Sequence, residues 1–196
     1  KQVILDSLGS KQGEFLTALI AKQTVHWNKA FNGRPIEVPE SGALPSKTLD
    51  GGMRLTLLSP GRAQLKAMIK KWDKELTNAK PKIDWTDVDA VLAFLEKRPS
   101  LKPRDSLGGS LSIDDLLDVK FESDTAEANG TSIAVLAEYA DRAILLGADA
   151  YAPVLSKSID RLLRELGIDR LPLDLFKVPH HGSAGNISTA LLDKLD

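Results

Sequence analysis

The chain has 196 residues, of which 42% are hydrophobic and 27% are charged, and its formal net charge is -1. These values are typical of a globular protein with one sizeable core, and they give no overall basic field that would indicate nucleic-acid binding. The sequence has no cysteine, which excludes disulfides and thiolate ligands and fits a reducing, cytoplasmic location. No run approaches the ~18 consecutive apolar residues of a membrane span, and the first residues lack a signal-peptide pattern.

The first part of the chain alternates between amphipathic helices and short strands. Apolar residues recur on one helical face over Gln12–Gln23, and the same spacing predicts a second helix over Arg62–Leu76. Between the two helices, short strands are predicted at Arg34–Val38, Thr48–Leu49 and Met53–Leu58.

The segment 77–129 is interpreted as an insertion or flexible segment. It is rich in Lys, Pro, Ser, Asp and Gly, and within it the apolar spacing predicts helices at Thr86–Glu96 and Ile113–Asp118. Such a segment can serve as a lid, a partner surface or a spacer, and a loop without a role is the equal alternative.

A pair of strands around a turn is predicted within Ser132–Asp149. The turn lies at Ala140–Arg142, and the second strand covers Ala143–Leu146 before the sequence Gly-Ala-Asp. Asp149 therefore follows a buried strand directly, which is a position that suits a ligand.

The segment Leu173–Ser188 carries two of the three histidines of the chain. Its apolar start predicts a short strand closed by Pro179, after which His180 and His181 lie in a Gly/Ser loop before a helix that begins near Thr189. Histidine is the commonest metal ligand but also an ordinary loop residue, so a polar loop without a metal is the alternative.

In this order, LLGAD at Leu145–Asp149 and KVPHHGS at Lys177–Ser183 resemble two signatures of the metallo-β-lactamase superfamily, in the branch of hydrolases related to the DNA-uptake protein ComEC. The segments Ala128–Glu138 and Gly52–Pro60 are similar to strands of the same family. The resemblance implies an α/β fold of the αββα sandwich type, incomplete in this chain, with residues 1–196 as a middle-to-late portion of one domain.

The resemblance also implies a metal-dependent hydrolase with two Zn²⁺ ions, or Mn²⁺, and a phosphodiester or nucleic acid as substrate. Asp149 would bridge the two ions. His181 would be a metal ligand, and His180 would contact the substrate or donate a proton, although sequence alone leaves the choice between these two histidines open. Hydrogen bonds around the site would come from Ser183, Asn186 and Ser188.

The chain departs from the family at its first ligand cluster, HxHxDH, which has no counterpart. His26 has no second His, Asp or Glu within two to four residues and is interpreted as a surface or partly packed histidine. Gly147-Ala148 also replaces the Thr-Gly of the family signature. We therefore expect the missing part of the fold on preceding sequence or on another polypeptide. A catalytically degenerate domain that acts as a docking or regulatory subunit is the alternative.

Overall fold

The computed structural model describes residues 16–18, 20–23, 27–78, 87–97 and 124–196. The chain divides into two compact units, one from Lys1–Pro35 with Ile69–Ser110 and the other from Ile36–Met68 with Leu111–Asp196. Helix α1 (Arg62–Thr77) crosses the division between the units and confirms the helix predicted there. His26 and the helix predicted at residues 113–118 lie outside the described residues.

The first unit contains helical segments. Residues 16–18 and 20–22 are helical, within the helix predicted from the apolar spacing. Helix α2 (Val88–Glu96) begins after Asp87, whose carboxylate accepts a hydrogen bond of 3.0 Å from the main-chain N–H of Ala90. This side-chain cap satisfies an N–H group that has no partner within the helix, and it explains why the helix begins at this residue.

The second unit is built on a five-stranded sheet in the order β1-β2-β3-β4-β5. Neighbouring strands are antiparallel from β1 to β4, whereas β5 runs parallel to β4. The strands are β1 (Ser46–Thr48), β2 (Arg54–Ser59), β3 (Ala134–Tyr139), β4 (Arg142–Leu146) and β5 (Leu175–Lys177). The helices that follow residue 123 are α3 (Glu127–Gly130), α4 (Ala152–Leu166) and α5 (Thr189–Leu192).

Strands β3 and β4 form the predicted hairpin. Its two turn residues, Ala140 and Asp141, have positive φ values of 47° and 62°. A two-residue turn with positive φ at both positions is the type I′ geometry, whose twist matches that of the flanking strands. This two-residue turn fixes the register of the two strands, in which Tyr139 pairs with Arg142.

Helix α4 joins β4 to β5 and packs against one face of the sheet. Its apolar residues Leu155 and Ile159 are fully buried and belong to the same core cluster as Leu136 and Leu145 of the sheet. The helix ends at Gly167, which takes a left-handed conformation and donates its N–H to the Leu163 carbonyl. A strand, a helix and a parallel strand thus place the ends of β4 and β5 side by side.

The opposite face of the sheet carries apolar side chains that are partly open to solvent. Because side chains alternate along a strand, the neighbours of buried Leu136 and Leu145 point away from α4. Ile144 pairs with Leu175 across β4 and β5, and these side chains remain 37% and 52% exposed. This face is apolar enough to favour a further covering layer.

The strand predicted at Arg34–Val38 is wrong. Within this stretch the structure has a single isolated bridge, between Val38 and Gly61, because Pro35 and Pro39 on either side lack the N–H group that a strand requires. The described residues form a mixed sheet with helices, consistent with the predicted α/β class. No helix within the described parts of the chain is long and apolar enough to cross a membrane.

Candidate functional site

The two strand-end motifs of the sequence lie next to each other in the structure. Strands β4 and β5 are parallel, so their carboxyl ends meet at one edge of the sheet. The Gly147 N–H donates to the Lys177 carbonyl at 3.0 Å, and the His180 N–H donates to the Ala148 carbonyl at 2.8 Å. Asp149 and the paired histidines are thereby brought to the same end of the sheet.

Gly147 allows this close approach. A Cβ atom at this position would lie 2.8 Å from Cγ of Pro179 and 3.0 Å from the Lys177 carbonyl oxygen. Both separations are shorter than van der Waals contact, and one of the two atoms belongs to the backbone. The glycine that distinguishes this chain from the Thr-Gly signature is therefore required by how its two strand ends pack.

The loops after β4 and β5 contain an unusual number of left-handed residues. Ala148 has φ 48°, and the turn Pro179–Gly182 includes His180 at φ 47°, His181 at φ 54° and Gly182 at φ 87°. This conformation costs about 1–2 kcal/mol for a residue with a Cβ atom, so the surrounding contacts must hold these residues in place. Backbone strain of this kind is concentrated at functional sites in proteins.

Asn186 joins the segments that surround the site. Its side chain is fully buried, and its Nδ2 lies 2.9 Å from Oδ2 of Asp124 and 3.1 and 3.2 Å from the carbonyl oxygens of Asp149 and Ala150. On the other side of the same amide, Oδ1 lies 3.0 Å from Nδ1 of His180. One buried amide therefore connects the chain before β3, the end of β4 and the histidine turn.

Asp124 is the second centre of this network. One carboxylate oxygen accepts the Ala126 N–H at 2.9 Å, and the other accepts Nδ2 of Asn129 at 2.8 Å and lies 3.3 Å from Nδ1 of His180. Burial raises the pKa of Asp124. The hydrogen bonds from Ala126, Asn129 and Asn186, together with the nearby imidazole, lower it by more, so the pKa lies below its ordinary value.

Tyr151 supports the segment that carries Asp124. Its hydroxyl donates to the Ala126 carbonyl at 2.7 Å, and a Cβ atom on Gly130 would lie 2.7 Å from its ring. Burial raises the pKa of Tyr151, and the charges of Asp124 and Glu127 raise it further. The phenol is therefore held neutral as a donor that fixes this segment.

The residues predicted to surround the site make different contacts in the structure. Asn186 contacts His180, whereas Ser188 instead caps α5, where its Oγ accepts the Leu191 N–H at 3.2 Å. Ser183 closes the histidine turn, with its main-chain N–H 2.9 Å from the His180 carbonyl. His181 is exposed, and the carbonyl of half-buried Asp149 accepts a hydrogen bond from Asn186.

Asp124 and Asn129 were not identified as site residues by sequence analysis. Both lie within residues 77–129, the segment interpreted as an insertion, and Asp124 is 62 positions from Asn186 in the chain. The available signal is local: an Asp three residues before a helical turn can accept a main-chain N–H group, as Asp124 does from Ala126. That pattern predicts a turn and carries no information about a distant histidine.

No group of three or more His, Asp or Glu side chains among the described residues is placed to hold a metal ion.

The chain has no match in comparisons with protein-family models, curated proteins or solved structures.

Proposed function

We propose that this chain supplies the strand-end part of a metal-dependent hydrolase site, in which Asp149 and one of the two adjacent histidines bind a divalent cation. The observation that carries the proposal is the junction of LLGAD and KVPHHGS at one sheet edge, fixed by the Gly147 to Lys177 and His180 to Ala148 hydrogen bonds. Parallel strand ends of this kind are where α/β proteins commonly place ligands.

The donor types at this edge suit Zn²⁺ or Mn²⁺, because both accept carboxylate oxygen and imidazole nitrogen. Asp149 and one histidine give two protein ligands, whereas a catalytic zinc normally has three. The remaining ligands would come from residues outside the described parts of the chain or from another polypeptide. A bound divalent cation would lower the pKa of a coordinated water and polarise the bond to be hydrolysed.

The side chains of this chain have separate tasks in the proposed site. The Asp149 carboxylate contributes negative charge that favours cation binding. Asp124 and Asn186 hold the His180 ring by its Nδ1, through contacts of 3.3 and 3.0 Å. The left-handed turn Pro179–Gly182 fixes the backbone from which both imidazoles project.

The finer fold assignment, a sandwich of the metallo-β-lactamase type, belongs to the same proposal. It is supported by the partly exposed apolar pairs on the free face of the sheet, such as Ile144 with Leu175. A second sheet from elsewhere in the protein or from another polypeptide would bury these side chains. The proposed substrate class, a phosphodiester or nucleic acid, rests on the resemblance of the sequence motifs alone.

A non-catalytic docking or regulatory domain is the second candidate. The observation that favours it is that the described residues offer no group of three metal-binding side chains. Ala148 also occupies the position of a family glycine and adopts a left-handed φ of 48°, which an alanine adopts only with strain. Such a domain would keep the packed strand ends without binding the cation.

Calorimetric titration of the tag-free chain with Zn²⁺ tests the proposal. We expect weak binding of at most one ion, lost in Asp149→Asn and in the double variant His180→Ala/His181→Ala. His26→Ala is the matched control and should bind like the wild type. Unchanged binding in both site variants would contradict the proposal, and a wild-type chain that binds no Zn²⁺ would favour the docking domain.

A further inference from the structure

The orientation of the Asn186 amide determines which nitrogen of His180 carries a proton. Its Nδ2 is surrounded by three oxygens, from Asp124, Asp149 and Ala150, at 2.9 to 3.2 Å. A carboxylate and two carbonyls only accept hydrogen bonds, so the NH₂ group must face them and Oδ1 must face His180. Oδ1 is an acceptor and lies 3.0 Å from Nδ1 of His180, which must therefore donate.

The second neighbour of the same ring nitrogen requires the same arrangement. Oδ2 of Asp124 lies 3.3 Å from Nδ1 of His180 and can only accept while the carboxyl group is ionised. A competing donor among the described residues is Nδ2 of Asn129, at 3.5 Å from Nδ1. That amide has two N–H groups, and one of them donates to Oδ2 of Asp124 at 2.8 Å. Its 3.5 Å separation from Nδ1 is longer than the 3.0 and 3.3 Å separations of the two acceptors, so the acceptors place the proton on Nδ1.

We propose that Asp124 and Asn186 are positioning residues that keep the proton of neutral His180 on Nδ1. The free electron pair of the imidazole is then on Nε2, which is the atom of His180 that can bind a ligand of the site. The inference rests on the proposed function only in naming a divalent cation as the group that this electron pair binds. It differs from the roles expected from the resemblance, in which His181 is the ligand and His180 contacts the substrate or donates a proton.

The contrast with His181 supports this choice. His181 is exposed, and no hydrogen bond within the described part of the chain orients its ring. Its ring meets that of His180 edge to face, with the centroids 6.4 Å apart and the planes inclined by 63°. In metal sites, a carboxylate or carbonyl bonded to the far nitrogen fixes the ring of a histidine ligand and raises its basicity. His180 has such partners and His181 does not.

Nuclear magnetic resonance of the ¹⁵N-labelled, metal-free chain tests the positioning role directly. At about pH 8, where histidine is ordinarily neutral, long-range ¹H–¹⁵N spectra distinguish the two tautomers. We expect His180 of the wild type to carry its proton on Nδ1 and to shift toward the Nε2-protonated form in Asp124→Ala. His26→Ala should leave the His180 signals unchanged.

A wild-type His180 protonated on Nε2 would overturn the proposal, and this spectrum requires no variant to fold. An unchanged tautomer in both folded Asp124→Ala and folded Asn186→Ala would also overturn it, because neither residue would then control the proton.

Zn²⁺ titration separates this inference from the proposed function. Loss of the carboxylate in Asp124→Asn should lower Zn²⁺ affinity by about 10- to 100-fold, as for other partners of metal-bound histidines. His180→Ala should weaken binding more than His181→Ala, and the opposite order would overturn the assignment of His180. If the wild type binds no Zn²⁺, the proposed function fails, while the tautomer measurement still decides the positioning role.

Discussion

The two ends of the central sheet both carry charged side chains and left-handed residues, yet they use them differently. At the hairpin end, Arg142 pairs with Asp174, and Nε of Arg54 lies 3.9 Å from Oε2 of Glu138. The side chains of Arg54 and Glu138 are 51% and 40% exposed. At the opposite end, beyond the carboxyl ends of β4 and β5, the side chain of Asp124 is only 11% exposed and Asn186 is fully buried. Surface ion pairs of the first kind contribute little to stability, whereas a buried polar group is costly to leave without a partner.

The residues with a left-handed backbone also differ between the two ends of the sheet. Ala140 and Asp141 adopt positive φ because a two-residue hairpin turn requires it. Ala148, His180 and His181 lie in loops after strand ends, in turns closed by the Ala150 N–H on the Gly147 carbonyl and by the Ser183 N–H on the His180 carbonyl. The difference shows that buried, converging hydrogen bonds, rather than charge alone, distinguish the candidate site from the other end of the same sheet.

The largest effect should follow from replacing Asn186, the amide that joins the segments around the site. Asn186→Leu leaves the Asp124 carboxylate, Nδ1 of His180 and two carbonyls without this partner. At about 0.5–1.5 kcal/mol net for each of the four hydrogen bonds that are lost, the free energy of unfolding should fall by about 3 kcal/mol in urea titrations. Arg54→Gln, at the hairpin end, is the control and should cost less than about 1 kcal/mol. Equal losses in the two variants would remove the distinction between the two ends.

An intermediate effect is expected where β4 and β5 approach each other. Gly147→Ala places a Cβ atom 3.0 Å from the backbone oxygen of Lys177, so the strand ends must separate. Overpacking of this kind should lower the free energy of unfolding by about 1–3 kcal/mol. Gly61→Ala is the matched control, because its new Cβ would meet Oε1 of Gln64 at 2.9 Å and that flexible side chain can move. A tolerated Gly147→Ala would show that the close approach is not required.

A smaller effect should appear in the acid dependence of stability. The folded-state pKa of Asp124 lies below its ordinary value. Ionised Asp124 therefore stabilises the fold above the unfolded pKa of about 3.9, and this contribution is lost as pH falls through the folded pKa. The difference in unfolding free energy between the wild type and Asp124→Asn should narrow over this range. A difference that stays constant with pH would show that the charge of Asp124 does not stabilise the fold.

The sequence predicts those features that depend on local patterns. The hairpin, α1, α2 and the strand before the histidines follow from apolar spacing and turn residues, and the parallel pairing of β4 with β5 then places Asp149 and the histidines at one edge. The role of Asn186 is only partly predictable, as a polar residue near the histidines. Asp124 is not predictable, because its contact with Asn186 joins residues 62 positions apart through a buried network that leaves no periodic signal.

The most direct test of the central claim, that Asp149 and His180 share one cation site at the ends of β4 and β5, is paramagnetic broadening of the amide signals by substoichiometric Mn²⁺. This measurement detects weak binding and locates it along the chain. We expect broadening centred on residues 147–149 and 180–182, abolished by Asp149→Asn and strongly reduced by His180→Ala. Broadening at other acidic positions with these two loops unaffected would contradict the account.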